Sequence, residues 1–409
     1  MRCSVREPCL IVMVVLAFVP CLTVADDWPR FRGPQLNGVS TEKLSIAKWH
    51  DAGPTLLWKK NVQTGVSGVV VQGDQLYTMG NEEDHDTVFC LKATTGETAW
   101  AYTYDCPTDP NEFEGGPTST PTIDGRELFT LSRRGDVFCF DRMTGKIKWR
   151  TNVPDETGIR IPGWGFAGSP LVVGQWLLLN IGDAGVALHK SNGNLKWAST
   201  DKDAGYSSMI PLGDTGAVVF GSARSYVCVR ISDGEELWRQ RWLTTFGCNA
   251  ADPILQDGHV FISSGYNRGC GLLKVTAESV KLVWKNKDMQ NQISTSMLID
   301  DHLYGIHGDV DAGTQLRCMS WKTGELKWSE ESFHPGAISA AGNQLIILTD
   351  EGELVIGEAS PNGFEFRSRR TALEGKCWTA PVLSAGRLFC RSLDGNLACF
   401  AVTDQVGND

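Results

Sequence analysis

A turn glycine followed four residues later by tryptophan recurs along this chain, as Gly96…Trp100, Gly145…Trp149, Gly193…Trp197, Gly234…Trp238 and Gly324…Trp328. Weaker copies end at Trp58, Trp284 and Phe366, so the units follow one another at intervals of 38–49 residues. A unit of this length cannot bury a core alone and must stack on copies of itself. Helical-pair repeats would space apolar residues by helical turns. Here Thr120–Ser132, Asp136–Phe140 and Lys146–Trp149 read instead as short β-rich runs broken by glycine turns. Period and strand content fit one four-stranded blade, so the expected fold is all-β: an eight-bladed β-propeller of four-stranded antiparallel blades.

The Asp-Gly, Asn-Gly and Thr-Gly pairs suit the hairpins because glycine takes positive φ without steric cost. Trp58, Trp100, Trp149, Trp197, Trp238, Trp284 and Trp328 fall on outer strands, where a large ring fills the wedge between blades. They read as structural. Inner strands are expected to start near Val66, Ser119, Gly168, Ser207, Ala251, Thr295, Ala337 and Thr379. The last unit lacks an outer strand, whereas Leu56–Asn61 has no unit before it. Pairing Leu56–Asn61 with Asn396–Val402 would close the ring and remove two sheet edges.

The 409 residues contain no linker-like stretch, and 14 Trp with 44 Gly give material for a large core and many turns. A formal charge of −10 with no basic cluster argues against nucleic acid as partner. Arg2 and Arg6, the apolar run Leu10–Val19 and the small-residue site Thr23-Val24-Ala25 read as a secretory leader over residues 1–25. That run is too short to span a bilayer, and no later one is longer. Cys21 follows Phe18-Val19-Pro20, which lacks the small residues of a lipidation site, so no lipid anchor is expected. The expected organisation is leader 1–25, an N-terminal segment 26–54 that docks on the propeller, and the propeller itself over 55–409. A monomer in the periplasm or secreted medium is the corresponding expectation.

Ten cysteines remain beyond the leader. Cys90, Cys139, Cys228 and Cys318 each lie six residues before a turn glycine, and Cys399 occupies a comparable place. Equivalent positions in separate blades are too far apart for disulfides, so this column reads as small buried apolar residues. Ala187 and Gly357 hold the same slot elsewhere. Cys248 with Cys270 is the pair to test for a disulfide, buried thiols being the even alternative.

The Gly-x-x-x-Trp units, their eightfold count and the opening Trp28-Pro-Arg-Phe-Arg-Gly-Pro34 make the mature chain similar to the bacterial pyrroloquinoline-quinone-like propeller family. That family includes quinoprotein alcohol dehydrogenases and the non-enzymatic lipoprotein subunit of the β-barrel assembly machinery, BamB. The dehydrogenase resemblance would imply pyrroloquinoline quinone with calcium, a disulfide of adjacent cysteines and a tryptophan against the quinone. No Cys-Cys dipeptide and no Cys-x-x-Cys-His haem motif occurs here.

No Gly-x-Ser-x-Gly, Walker or His-Glu-x-x-His motif is present, and no catalytic residue is singled out. Glu82–Asp86 and His302–Asp311 contain metal-capable groups without defined ligand spacing and read as solvated hairpin loops. The candidate surface is the set of long connections between blades, which converge on one channel mouth. These carry Arg160, Trp164, Phe166, Asn249, Asp252, Gln292 and Trp378. Channel plugging by Trp164 and Trp378, turn capping by Asp252 and loop satisfaction by Asn249 are the competing structural readings. The expectation is a BamB-like binding or scaffold propeller in the cell envelope, with a protein, peptide or small ligand at the loop face and no assigned cofactor. A quinone-dependent oxidoreductase is the alternative.

Overall fold

A computed structural model describes residues 27–44, 53–108 and 115–402, so the leader and Cys21 lie outside the described residues. The first strand, β1 (Val39–Ser40), belongs to an N-terminal strap, and β2 (Thr55–Asn61) follows it. Blade one then runs β3 (Val70–Gln72), β4 (Gln75–Glu82), β5 (His85–Lys92) and β6 (Thr98–Asp105), four antiparallel strands in sequence order. Six further blades repeat this order up to Thr371. The eighth combines Val382–Ser384, Arg387–Arg391 and Asn396–Ala401 with β2 as its outer strand. Closure follows the expected register, with Leu56 opposite Phe400 and Asn61 opposite Asn396.

The tryptophans weld blade to blade. Indole N–H groups of Trp58, Trp100, Trp149, Trp197, Trp238, Trp284 and Trp328 donate to carbonyls of Ala93, Arg142, Lys190, Ile231, Thr276, Trp321 and Ser360, at 2.8–3.2 Å, always in the next blade. The ring faces lie on that blade's turn glycine. A Cβ on Gly96, Gly145, Gly193, Gly234 or Gly324 would stand 2.5–2.7 Å from the ring of Trp58, Trp100, Trp149, Trp197 or Trp284. These glycines also hold φ between +70° and +76°, so the position excludes a side chain twice over. Glycine and tryptophan of one motif therefore serve opposite interfaces.

Directly across from each tryptophan sits the small-residue column: Cys90 opposite Trp100, Cys139 opposite Trp149, Ala187 opposite Trp197, Cys228 opposite Trp238, Cys318 opposite Trp328 and Cys399 opposite Trp58. Blade five departs from the rule, with Leu272 opposite Trp284. In blade seven Gly357 faces Phe366, which is 41% exposed and packs on Phe333 and Phe364. Burial pushes the thiols of Cys90 and Cys318 up to about 11 and those of Cys139, Cys228 and Cys399 up to about 12. We expect iodoacetamide at pH 8 to leave the ten described cysteines unmodified in the folded protein and to modify all ten after denaturation, read by intact mass.

Ring closure has its own device. Arg391, fully buried in blade eight, donates through Nη1 to the Ser67 and Met79 carbonyls and the Thr78 hydroxyl, and through Nη2 to the Gln63 carbonyl. Burial lowers its guanidinium to about 9. Arg391→Met should cost about 1–2 kcal/mol, because the buried acceptors left without a donor outweigh relief of the buried charge. Hydrogen exchange should show blade one and blade eight losing protection together; protection lost uniformly around the ring would refute this seam role.

Candidate functional site

Long connections meet around the ring axis because each outer strand must return to the next inner strand. Just before the inner strands, backbone N–H groups donate to side chains of the next blade: Gly68 to Thr120 Oγ1, Thr120 to Ser169 Oγ, Ser169 to Ser208 Oγ, Ser208 to Asp252 Oδ1 and Asp252 to Thr295 Oγ1, at 2.7–3.0 Å. This belt lines a cavity of about 280 Å³.

One end of the cavity is closed by the strap. Trp28 pairs with Val71, the Pro29 carbonyl accepts from Ile123, and β1 adds in parallel to Ala340–Ala341 of blade seven. Asp27 and Glu42 accept from Gly73 and from Ala385 and Gly386, turns that join first to second strands. The strap therefore lies at the end of the ring opposite the long connections. Arg32 is driven into the channel, donating to the carbonyls of Leu36, Asn37 and Ser296, with its guanidinium lowered by burial to about 10.

Asp252 is the anomaly of the belt. Serine or threonine would supply the one oxygen that Ser208 N–H needs. The carboxylate adds a charge and a second oxygen, Oδ2, that is buried without a hydrogen-bond partner. Burial raises its pKa to about 6, with the Arg32 charge and the Ser208 N–H pulling the other way.

The open end is aromatic. Trp164 stands edge-on to Tyr206 at 5.6 Å and to Phe246 at 5.9 Å, and Phe246 edge-on to Tyr266 at 5.7 Å. Phe246 is 70% exposed and holds φ +63°. A depression of about 400 Å³ shares Val310 and Trp378 with the cavity and is also lined by Asp311, Asp350, Glu351 and Lys376.

Four of the expected mouth residues, Trp164, Asp252, Gln292 and Trp378, line this cavity. Three do not. Arg160 turns away to Asp203, Nε to Oδ1 2.8 Å, and lines a separate charged groove with Asp183 and Arg239. Phe166 is fully buried in the apolar core between blades two and three. Asn249 is fully buried, donating to the Ser222 and Trp242 carbonyls and accepting from Ser264, the loop-satisfying role. Each faces inward or sideways because an irregular connection alternates without a period. Of the two readings of Cys248 and Cys270, the structure has the buried thiols: Cys248 lines the cavity, whereas Cys270 lies on Gly269–Val275 and donates to Asn286 Oδ1 at 3.0 Å. Of the two acidic runs, Glu82–Asp86 does form a hairpin tip, but His302–Asp309 is itself a strand. Sequence reasoning passed over Arg32, Tyr206 and Tyr266. The pairs Thr120-Pro121, Ser169-Pro170 and Asp252-Pro253 are the signal that would have placed the belt.

The calcium-bound quinone implied by the dehydrogenase resemblance does not fit these residues. Calcium takes six to eight oxygens, several of them carboxylates. Asp252 is the single carboxylate among the described cavity-lining residues, and it faces the Arg32 cation.

Comparison with known proteins agrees with the fold. Outer membrane protein assembly factor BamB of Moranella endobia (strain PCIT) is 25% identical over 288 residues, 65% of this chain and 68% of that protein. The crystal structure of BamB from Moraxella catarrhalis superposes with a TM-score of 0.65 at 15% identity, over 85% of this chain and 99% of that one. Quinohemoprotein alcohol dehydrogenase from Comamonas testosteroni gives 0.67 at 13% identity, over 94% and 82%. Such low identities show a shared propeller fold alone. A family model of PQQ-type repeats described as outer membrane protein assembly factor BamB matches residues 107–330, more than half of the sequence, and the chain belongs to that family.

Proposed function

We propose that this protein is an exported envelope propeller that works by binding, its loop face holding a protein partner as a scaffold module. One observation carries the reading: a cup sealed at one end by the strap presents an aromatic arc with Phe246 exposed at the other, and the family relative is named as an assembly factor. No catalytic residue is assigned in this reading: Asp252, the single carboxylate among the described cavity-lining residues, accepts from Ser208 N–H in the belt. The mature chain begins near Asp26 after leader cleavage, is monomeric, and acts outside the cytoplasm.

Expression with the leader in a Gram-negative host tests export, and the mass of the product distinguishes a start at Asp26 from a lipidated Cys21. Affinity capture from solubilised envelopes should retain outer-membrane assembly proteins, and Trp164→Ala should reduce that retention. Unchanged retention by Trp164→Ala, together with saturable binding of pyrroloquinoline quinone and calcium seen by absorbance, would replace the scaffold reading with the oxidoreductase alternative.

A further inference from the structure

The loop face carries two features that the belt and the tryptophan welds leave unused. The first is the aromatic arc Tyr206, Trp164, Phe246 and Tyr266, with Phe246 largely in water. Ile293, 37% exposed on the next connection, lines the same cavity as Trp164, Tyr206 and Tyr266 and adds apolar surface to the mouth. The second is charge. Tyr266 N–H donates to Asp309 Oδ1 at 2.8 Å, and Asp309 is followed by Val310 and Asp311 at the depression that also holds Asp350 and Glu351. Patch and acidic depression are thus continuous through Asp309–Asp311.

Phe246 is the informative residue. A left-handed backbone costs a non-glycine residue about 1–2 kcal/mol. Its ring recovers little by burial, since most of it remains in solvent. Glycine would fit the turn better, and the edge contacts with Trp164 and Tyr266 still leave most of the phenylalanine ring in water. Placing a rigid aromatic ring in water beside carboxylates suits a partner that brings cations with apolar neighbours, because ring faces and carboxylates both attract them. The face already shows that chemistry within the chain: the Lys376 ammonium lies 4.7 Å from the Trp378 ring centre, and the Arg268 guanidinium 3.6 Å from that of Trp242.

The geometry points to a docking site for an extended basic polypeptide, its apolar side chains on the Trp164–Phe246–Tyr266 arc and its Lys or Arg side chains towards Asp311, Asp350 and Glu351. This rests on the scaffold reading and names the chemistry of its partner. Charge complementarity is the argument for that occupant: the patch opens onto acids, and the whole chain carries a formal −10.

The test uses two defined probes, Ac-Leu-Arg-Leu-Arg-Leu-Arg-NH2 and its counterpart with glutamine for each arginine, titrated calorimetrically into the mature protein. The basic peptide should bind at least tenfold more tightly at 50 mM salt, and the advantage should shrink at 500 mM. Phe246→Gly should weaken the basic peptide tenfold or more while leaving the melting temperature equal or higher, because it removes the ring and the backbone strain together. Equal binding of both peptides, or unchanged binding by Phe246→Gly, overturns the inference. Envelope partners captured by a protein that ignores the basic peptide would sink this inference and leave the scaffold reading. Peptide binding without any captured partner would do the reverse.

Discussion

Trp149→Ala should lower the unfolding free energy by about 3–5 kcal/mol, the range for emptying a buried aromatic site. Trp149 is 9% exposed, its N–H is satisfied by the Lys190 carbonyl at 2.8 Å, and its ring packs on Phe129 and the Gly193 turn. Gly193→Ala attacks the same weld from the other side. It forces alanine into φ +76° and sets a Cβ 2.5 Å from the indole, for about 2–3 kcal/mol. Combining the two should cost less than the sum by about 1 kcal/mol or more, since without the ring only the backbone penalty of the introduced alanine persists. Urea titrations of the four proteins measure this cycle. Strict additivity would mean that the ring and the turn do not meet, and the welding account would fall.

Asp252→Ser should stabilise the protein by about 2–3 kcal/mol at pH 7, the scale of relieving a buried, incompletely paired charge. Serine keeps the acceptor for Ser208 N–H, as in neighbouring blades, and removes the buried charge. The sign follows from linkage. The folded pKa of about 6 lies above the usual carboxylate value, so the ionised form is disfavoured in the fold. Its cost is absent below about pH 4, grows between about pH 4 and pH 6, and is full above about pH 6. The advantage of the variant should therefore be largest above about pH 6 and vanish near pH 4, seen as converging melting temperatures. A pH-independent difference would show that Asp252 titrates normally and that its burial does not disfavour the charge.

A carboxylate that the belt does not need, opposite Arg32 of the strap, is tension concentrated at the candidate site. Phe246 in a left-handed turn is a second instance on the same molecule's mouth. Both sit where binding is proposed, whereas the tryptophan welds show neither feature. That contrast is what a binding surface on a rigid ring predicts, since residues kept for a ligand need not be optimal for the fold.

The repeat was legible in the residues because it is local and periodic. Spacing from turn glycine to tryptophan set blade number, strand order, the cysteine column and even the partner of Leu56–Asn61. Inner strands begin two to four residues beyond most of the expected positions, because the belt residues come first: Val70 after Val66, Ile210 after Ser207. The mouth was read less well. Residues on one irregular connection, such as Arg160, Trp164 and Phe166, send their side chains to a groove, a cavity and a core. No periodicity in a loop tells these apart.

By itself, then, the sequence determined everything that depends on neighbours within one unit: β structure, blade period, the weld residues and the closing strand. Tertiary structure alone decided what depends on bringing distant blades to one axis. Only the closed ring sets Arg32 of the strap against Asp252 of blade five, and Phe246 against Trp164 and Tyr266. The physical reason is that short-range propensities and hairpin pairing are encoded over a few tens of residues. The chemistry of the mouth arises instead from residues whose separation in the chain carries no pattern at all.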